Sequence, residues 1–319
     1  MARAETADPK DLGEGRPNER LRGVLCVAAA ALIYTLQDVI IKLLSGIYPL
    51  PEALAIRCLV GFLPLLVLVH FDGGLGRLRI RWSWGLLLRG FLMLLSYTCY
   101  YLSIAALPLA AAVSLFYSSP LFLVALAGPV LGERVGLRRW LAILVGFGGV
   151  LIVSRPDGAA IDPAAFLSLG AAIFYALAQL MTRRLGVGER ASMMILAQNV
   201  VYTVATLAMG VIAGRGGFAQ SGGAVEQFLL RAWVMPTAFD FGLLAFTGFV
   251  AAIAGWLQTQ AYRIAPVNDV APFEYSAIPW AAVCGLLIWG EIPSAATWPG
   301  ILVIVAAGIY LLHKPRAPA

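Results

Sequence analysis

Between Leu21 and His313 the chain is a succession of apolar runs separated by short polar breaks. A helix needs about 20 apolar residues to cross ~30 Å of hydrocarbon. Runs of that order fall at about 21–44, 51–70, 83–107, 108–131 and 137–154, and again at about 163–184, 190–213, 238–263, 266–289 and 295–313. They are continuous and do not alternate with period two, so a membrane β-barrel is excluded. In hydrocarbon every backbone N–H and C=O must be paired, and that leaves helices. Ten transmembrane helices are expected. Composition agrees with a chain built for lipid, with 61% hydrophobic and 13% charged residues and a mean hydropathy of +0.84.

Lys and Arg set the orientation, because they favour the cytoplasmic ends of short loops. Arg16, Arg20 and Arg22 precede the first run; Arg77, Arg79 and Arg81, then Arg134, Arg138 and Arg139, then Arg183, Arg184 and Arg190 follow at alternate loops, and Lys314 and Arg316 close the chain. The opposite loops carry only Arg155, Arg215 and Arg231. Both termini are expected in the cytoplasm, and this topology signal plus attraction to anionic lipid explains the net charge of +6 without a nucleic-acid partner. Residues 1–20, polar and rich in charge, read as a disordered cytoplasmic tail rather than a cleaved signal, and residues 315–319 as a second tail. Cys26, Cys58, Cys99 and Cys284 all sit inside runs without CxxC spacing, and His70 and His313 are far apart, so neither disulfide, metal site nor cofactor is expected.

The chain is written twice. Residues 108–153 align without a gap on 266–311, an offset of 158 that pairs Pro108 with Pro266, Tyr117-Ser118 with Tyr275-Ser276, Gly132-Glu133 with Gly290-Glu291 and Trp140 with Trp298. Upstream the offset is 141, pairing Tyr34 with Tyr175, Lys42 with Arg183 and Arg57 with Gln198. The second copy has gained 17 residues in a Gly-rich stretch within the expected outside loop 214–237, whose "EQFLLRAW" end suits a short interfacial helix with Trp233 at headgroup level. Five helices is an odd number, so the copies, 21–155 and 160–314, must enter the membrane in opposite senses. In secondary transporters inverted repeats enclose a midplane substrate site that rocking opens to either side.

The segments "VLGERVGLRRWLAILVGFGGVLIV" and "IWGEIPSAATWPGILVIVAAGIYLL" that end the two copies, on this architecture, resemble the EamA-type branch of the drug/metabolite transporter superfamily, and within it most nearly the bacterial aromatic amino-acid exporters. The resemblance covers residues 21–314. It implies two inverted five-helix repeats around a central cavity in the bacterial inner membrane, walled by the first four helices of each. The fifth helices, 137–154 and 295–313, would lie outside the wall; they lack central ionisable residues and carry small residues suited to close packing. Glu133 and Glu291, just ahead of them, fit interaction with helix N-terminal dipoles.

Candidate cavity residues follow from aromatic and amide clusters. "SYTCYY" places Tyr97, Tyr100 and Tyr101 within about a turn, and "GWLQTQAY" brings Trp256 and Gln258, the latter the mate of Tyr100. Phe116, Tyr117, Tyr175, Gln179, Asn199, Tyr275 and Trp280 extend the set. An aromatic wall with a few amides suits a planar apolar group with a hydrogen-bonding end, while plain packing or an interface belt uses the same residue types. Asp38 and Lys42, spaced i, i+4, can pair with each other near the outer mouth beside Arg57 as a structural ion group, or Lys42 or Arg57 can receive a substrate carboxylate. Arg89 sits close enough to the cytoplasmic end to snorkel. Glu274, between Pro272 and Pro279 in "APFEYSAIPW", is the mate of Phe116. Three roles are open to it: contact for a substrate ammonium, proton coupling, or a structural polar residue held by a neighbour such as Gln179.

The expected function is export of aromatic amino acids and related planar metabolites by alternating access, with another small metabolite or a cationic drug as the alternative cargo. The partners are that small molecule and the bilayer, and a monomer is compatible with the sequence. No GxxxxGK[ST] stretch cradles a nucleotide. An intramembrane enzyme on lipid or isoprenoid substrates would need acids, histidines or a nucleophile with its base gathered at one depth, a pattern these residues do not make.

Overall fold

The computed structural model describes residues 17–71, 83–131, 136–154, 162–185, 191–216, 223–264, 271–295 and 297–313. Among them every regular element is a helix: α1 (Pro17–Leu44), α2 (Leu50–Phe71), α3 (Trp84–Ala106), α4 (Leu109–Phe116), α5 (Ser119–Leu131), α6 (Leu137–Ser154), α7 (Pro163–Leu185), α8 (Ala191–Ala213), α9 (Ala224–Leu230), α10 (Ala238–Ile264), a 3₁₀ segment (Ala271–Ser276), α11 (Ala277–Trp289) and α12 (Thr297–His313). Seven stretches within them are long and apolar enough to cross a bilayer, and three shorter apolar helices accompany these. The protein is an all-helical polytopic membrane protein. The expected tails largely lie outside the described residues, as do 217–222 of the loop 214–237, Glu133, and the basic positions Arg77, Arg79, Arg81, Arg134, Arg190, Lys314 and Arg316.

Local chemistry sets the helix ends. Ser83 caps α3, its hydroxyl accepting from the Leu86 N–H at 3.2 Å, which satisfies one of the first-turn donors. Gly290 ends α11 in the left-handed region at φ 67°, with its N–H on the Leu286 carbonyl and the Glu291 N–H on that of Gly285, each at 3.1 Å. Only a residue without Cβ adopts that turn freely, and the turn swings Glu291 back across the bundle.

The runs at 108–131 and 266–289 are each broken. The first divides at Tyr117-Ser118 into α4 and α5, and the second passes from the 3₁₀ segment into α11. The new α-helices begin at Ser119 and Ala277, positions 158 apart. Each carries a proline in its first turn, Pro120 and Pro279, where the missing N–H costs no intrahelical bond. Pro279 sits in the first turn of α11, and the interruption of the run lies ahead of it, at 271–276 around Pro272.

The helices before residue 155 pack mainly on those after it: α1 and α2 against α10, α2 and α3 against α8, α3 against α7, and α6 against α12. Two crossings are glycine-mediated. At α2–α10, a Cβ on Gly248 would stand 2.6 Å from the Arg57 carbonyl oxygen and 3.0 Å from the Gly61 nitrogen. At α6–α12, Cβ atoms on Gly149 and Gly300 would each stand 2.8 Å from the other's carbonyl oxygen. Backbones this close exploit small residues for dispersion contact where lipid supplies no hydrophobic drive. Trp233 follows α9, but its ring packs on Gly210 of α8 and its N–H donates to the Gly214 carbonyl at 2.9 Å, so it is half-buried in protein rather than free at the headgroups.

Candidate functional site

Two adjoining chambers occupy the centre of the bundle. The larger, about 870 Å³ of empty space counting its open mouth, is lined by Arg57 and Gly61 of α2, Arg89 and Tyr97 of α3, Tyr175, Gln179 and Thr182 of α7, Gln198, Asn199 and Tyr202 of α8, and Gly248 and Gln258 of α10. The second, about 590 Å³, is lined by Asp38, Tyr97, Tyr100, Phe116, Tyr117, Tyr175, Gln258 and Glu274. Tyr34, Tyr97, Tyr175 and Gln258 border both and form the partition.

An aromatic chain lines the second chamber. Ring centroids run from Tyr100 to Phe116 at 4.9 Å, Phe116 to Tyr175 at 5.3 Å and Phe116 to Tyr117 at 5.5 Å, all tilted or edge-to-face. These geometries present ring faces and edges to a guest. Two carboxylates share the chamber: Asp38 Oδ2 accepts from the Tyr100 hydroxyl at 2.7 Å, and Glu274 Oε1 accepts from Gln258 Nε2 at 2.8 Å. The same Gln258 nitrogen also donates to the Tyr175 hydroxyl at 3.2 Å. Gln258 is thus the neighbour that holds Glu274, in the place expected of Gln179. Asn199 is committed to backbone, its amide donating to the Cys58 carbonyl at 2.9 Å.

The larger chamber is basic. Arg89 is buried: its Nε donates to Thr182 Oγ1 at 2.7 Å and its Nη1 to Gln198 Oε1 and the Met194 carbonyl at 3.2 and 3.4 Å. It bridges helices from both halves of the chain and does not snorkel. Arg57 is 6% exposed, lies over the Tyr97 ring at 5.0 Å, and its Nη1 is buried without a hydrogen-bond partner.

The expected charge group at the outer mouth is not assembled. Asp38 and Arg57 face the chambers, whereas Lys42 donates from Nζ to Glu291 Oε1 at 2.5 Å and to the Leu107 carbonyl at 3.1 Å, over the Trp289 ring at 4.9 Å. Glu291 Oε2 in turn accepts from the Leu109 N–H at 2.9 Å. Glu291 does serve a helix N-terminus, but that of α4 rather than of the helix that follows it. Further ties lie at this end of the bundle: Tyr48 to Asp240 at 2.8 Å, the Val234 N–H to Glu52 at 3.0 Å, and Arg231 to the Gly46 carbonyl at 2.5 Å.

Four expected residues stand apart from the chambers. Tyr101 is fully buried and its hydroxyl takes a hydrogen bond from Gln37; Tyr275 is buried against Tyr117 and Gly308; Trp280 is 44% exposed. Trp256 likewise lines neither chamber. Tyr34, Tyr202 and the inward Arg89 are residues that sequence reasoning missed as lining. For Tyr34 a signal existed, since it is the repeat mate of Tyr175.

A polytopic helical bundle around a cavity lined by aromatic rings, amides and charges is the architecture of a membrane transporter. Residues 21–155 match the family described as the EamA-like transporter family. The chain is 28% identical over 308 residues to a riboflavin transporter of Rhizobium johnstonii, covering 95% of this chain and 96% of that one. It is 28% identical to the pseudopaline exporter CntI of Pseudomonas aeruginosa, over 92% and 97% of the two chains, and 24% identical to an S-adenosylmethionine uptake transporter of Rickettsia bellii, over 72% of each. A solved crystal structure shares the fold at TM-score 0.62 and 15% identity, over 92% of this chain and 96% of that one. By these similarities the chain resembles the EamA-type transporters, and the relatives' names indicate a transporter, not an enzyme.

Proposed function

We propose that the protein moves a small planar, ring-bearing metabolite across the bacterial inner membrane by alternating access, with aromatic amino acids as the first cargo to test and export as the direction. The observation that carries this reading is the aromatic chain from Tyr100 through Phe116 to Tyr175 beside an amide, Gln258, that reaches both chambers. Ring faces hold a flat guest, and amides and hydroxyls pair with its polar end. A second reading, a flavin, is favoured by the relative named as a riboflavin transporter over nearly the full chain.

The mechanism rests on ten spanning segments in two inverted repeats, 21–155 and 160–314, with both termini cytoplasmic. Repeat mates support it, because each pair faces one chamber: Tyr34 with Tyr175, Arg57 with Gln198, Tyr100 with Gln258, and Phe116 with Glu274. Under an in-plane two-fold axis a residue meets its mate only near the midplane, where a site exposed alternately to both sides must sit. In this orientation the ties from Lys42 to Glu291 and from Tyr48 to Asp240 close the outer end. Glu274 is the coupling or ammonium-contact residue, and α6 and α12 brace the wall from outside.

Proteoliposomes loaded in turn with labelled tryptophan, phenylalanine, riboflavin and leucine test the cargo, with flux followed in both directions. Saturable movement of a ring compound, with leucine excluded, is the expected result. Equal flux of leucine, or none of the four in vesicles holding folded protein, rejects the planar cargo.

A further inference from the structure

Taken together, the two chambers are polarised: Arg57 and Arg89 line one, and Asp38 and Glu274 line the other. The two guanidiniums are not equivalent. Arg89 has its Nε and Nη1 donors engaged by Thr182, Gln198 and the Met194 carbonyl, which makes it a tie between α3, α7 and α8. Arg57 has no carboxylate within 4.0 Å among the described residues, and Asp38 is turned to the Tyr100 hydroxyl instead. A guanidinium stays charged under all physiological conditions, and a buried charged donor left unpaired is costly. Its Nη1 is nevertheless buried without a hydrogen-bond partner, in a residue that lines the larger chamber.

Its setting is prepared for a flat, bidentate partner. The Tyr97 ring centroid lies 5.0 Å from the guanidinium carbon, within cation–π reach, and a planar fork offers paired donors that a lysine cannot reproduce. The glycine crossing of Gly61 and Gly248 brings α10 onto the α2 backbone at Arg57, and both glycines line the same chamber as Arg57. Carboxylate and phosphate oxygens match such a fork in geometry and charge.

We infer that Arg57 is the receptor for an anionic group on the transported molecule, a carboxylate or a phosphate carried on the planar cargo of the preceding subsection, on which this inference rests. The ring then lies along Tyr97 and Tyr175 toward the second chamber, where Asp38 and Glu274 repel a second anion and accept an ammonium. Arg57 thereby selects among ring compounds by the charge of their polar end, and a guest with a second anionic group at its opposite end is disfavoured.

The test compares two ligand pairs on the purified full-length protein in nanodiscs: tryptophan with tryptophan amide, and riboflavin 5′-phosphate with riboflavin. Hydrogen bonds to a charged group contribute ~1.5–3 kcal/mol, so within one pair the anionic member should bind roughly 10- to 100-fold more tightly. Preference in the first pair assigns a carboxylate and in the second a phosphate. The preference should fall below about 3-fold in Arg57→Gln, with the affinity of the member that lacks the carboxylate or phosphate kept, and return only in part in Arg57→Lys. Wild-type affinities within about 3-fold in both pairs overturn the assignment without any variant, as does a preference that survives Arg57→Gln. If none of the four ligands binds, the planar-cargo reading fails and Arg57's role fails with it; if they bind irrespective of charge, only Arg57's role fails.

Discussion

Glu291→Gln removes one charge from the tie that joins the end of α1 to the turn after α11, and its effect can be worked from the contacts. Lys42 is 9% and Glu291 23% exposed at the side chain, with their charged atoms 2.5 Å apart. At an effective dielectric of ~20 the raw attraction is several kcal/mol, and breaking fully buried pairs costs about 3–5 kcal/mol. Here solvent reaches Glu291, and the glutamine oxygen can still accept from Lys42 or from Leu109, so about 2 kcal/mol is the appropriate magnitude. If the tie exists only when the outer end is closed, that loss moves the closed-to-open ratio by roughly 30-fold. The assay places a cysteine at Val113, buried in the second chamber, in a background lacking Cys26, Cys58, Cys99 and Cys284. Labelling by a membrane-impermeant maleimide from outside should accelerate by that factor in Glu291→Gln. Lys42→Met should do the same, and the double variant should show far less than the summed effect, because both remove one interaction. An unchanged labelling rate in folded Glu291→Gln would refute the reasoning, since the pair would then persist in both states.

Glu274→Gln should preserve expression and thermal stability while abolishing or flattening the dependence of flux on an imposed pH gradient; loss of folded protein would instead make Glu274 structural, held by Gln258. Gly300→Leu should lower detergent thermostability by the equivalent of about 1–3 kcal/mol or more, because its Cβ meets the Gly149 carbonyl at 2.8 Å, and should leave the affinity of the surviving folded fraction intact. Gly248→Ala should cost less stability yet weaken ligand binding, since the displaced α2 carries Arg57; equal binding in thermostable Gly248→Ala protein would show that the crossing does not position the guanidinium.

Sequence periodicity and duplication reveal the scaffold because lipid imposes both helix length and internal backbone pairing. The tyrosines of α3 were legible for a similar reason, their spacing placing Tyr97 and Tyr100 toward one cavity. Charges were harder. The i, i+4 rule proposes Lys42 as the partner of Asp38, but the structure pairs Lys42 with a residue 249 positions away. Local spacing cannot anticipate a left-handed turn at Gly290 that carries Glu291 across the bundle. Arg89 was misread because snorkelling considers only depth, whereas Thr182 and Gln198 from the other half satisfy its donors within the protein. Trp280 was misread because the 3₁₀ segment resets the helical register ahead of α11, so residues on either side of Ala277 do not keep the facing a continuous helix would give.

The mate pairs also explain how a duplicated scaffold acquires a directional site. Tyr34 and Tyr175 kept the same residue and border both chambers, while Arg57 lines one chamber with its mate Gln198 and Glu274 lines the other with its mate Phe116. A symmetric ring of charges would repel itself in low dielectric, and an uncharged one would hold any flat molecule equally well. Under the proposed inverted repeat, a charge on one member of the Arg57–Gln198 and Phe116–Glu274 pairs would leave the backbone able to rock and give the guest an anion end and a cation end. The cargo would then keep its orientation through the cycle while access alternates around it, which is why the amide and flavin pairs, rather than ring size alone, discriminate between cargoes.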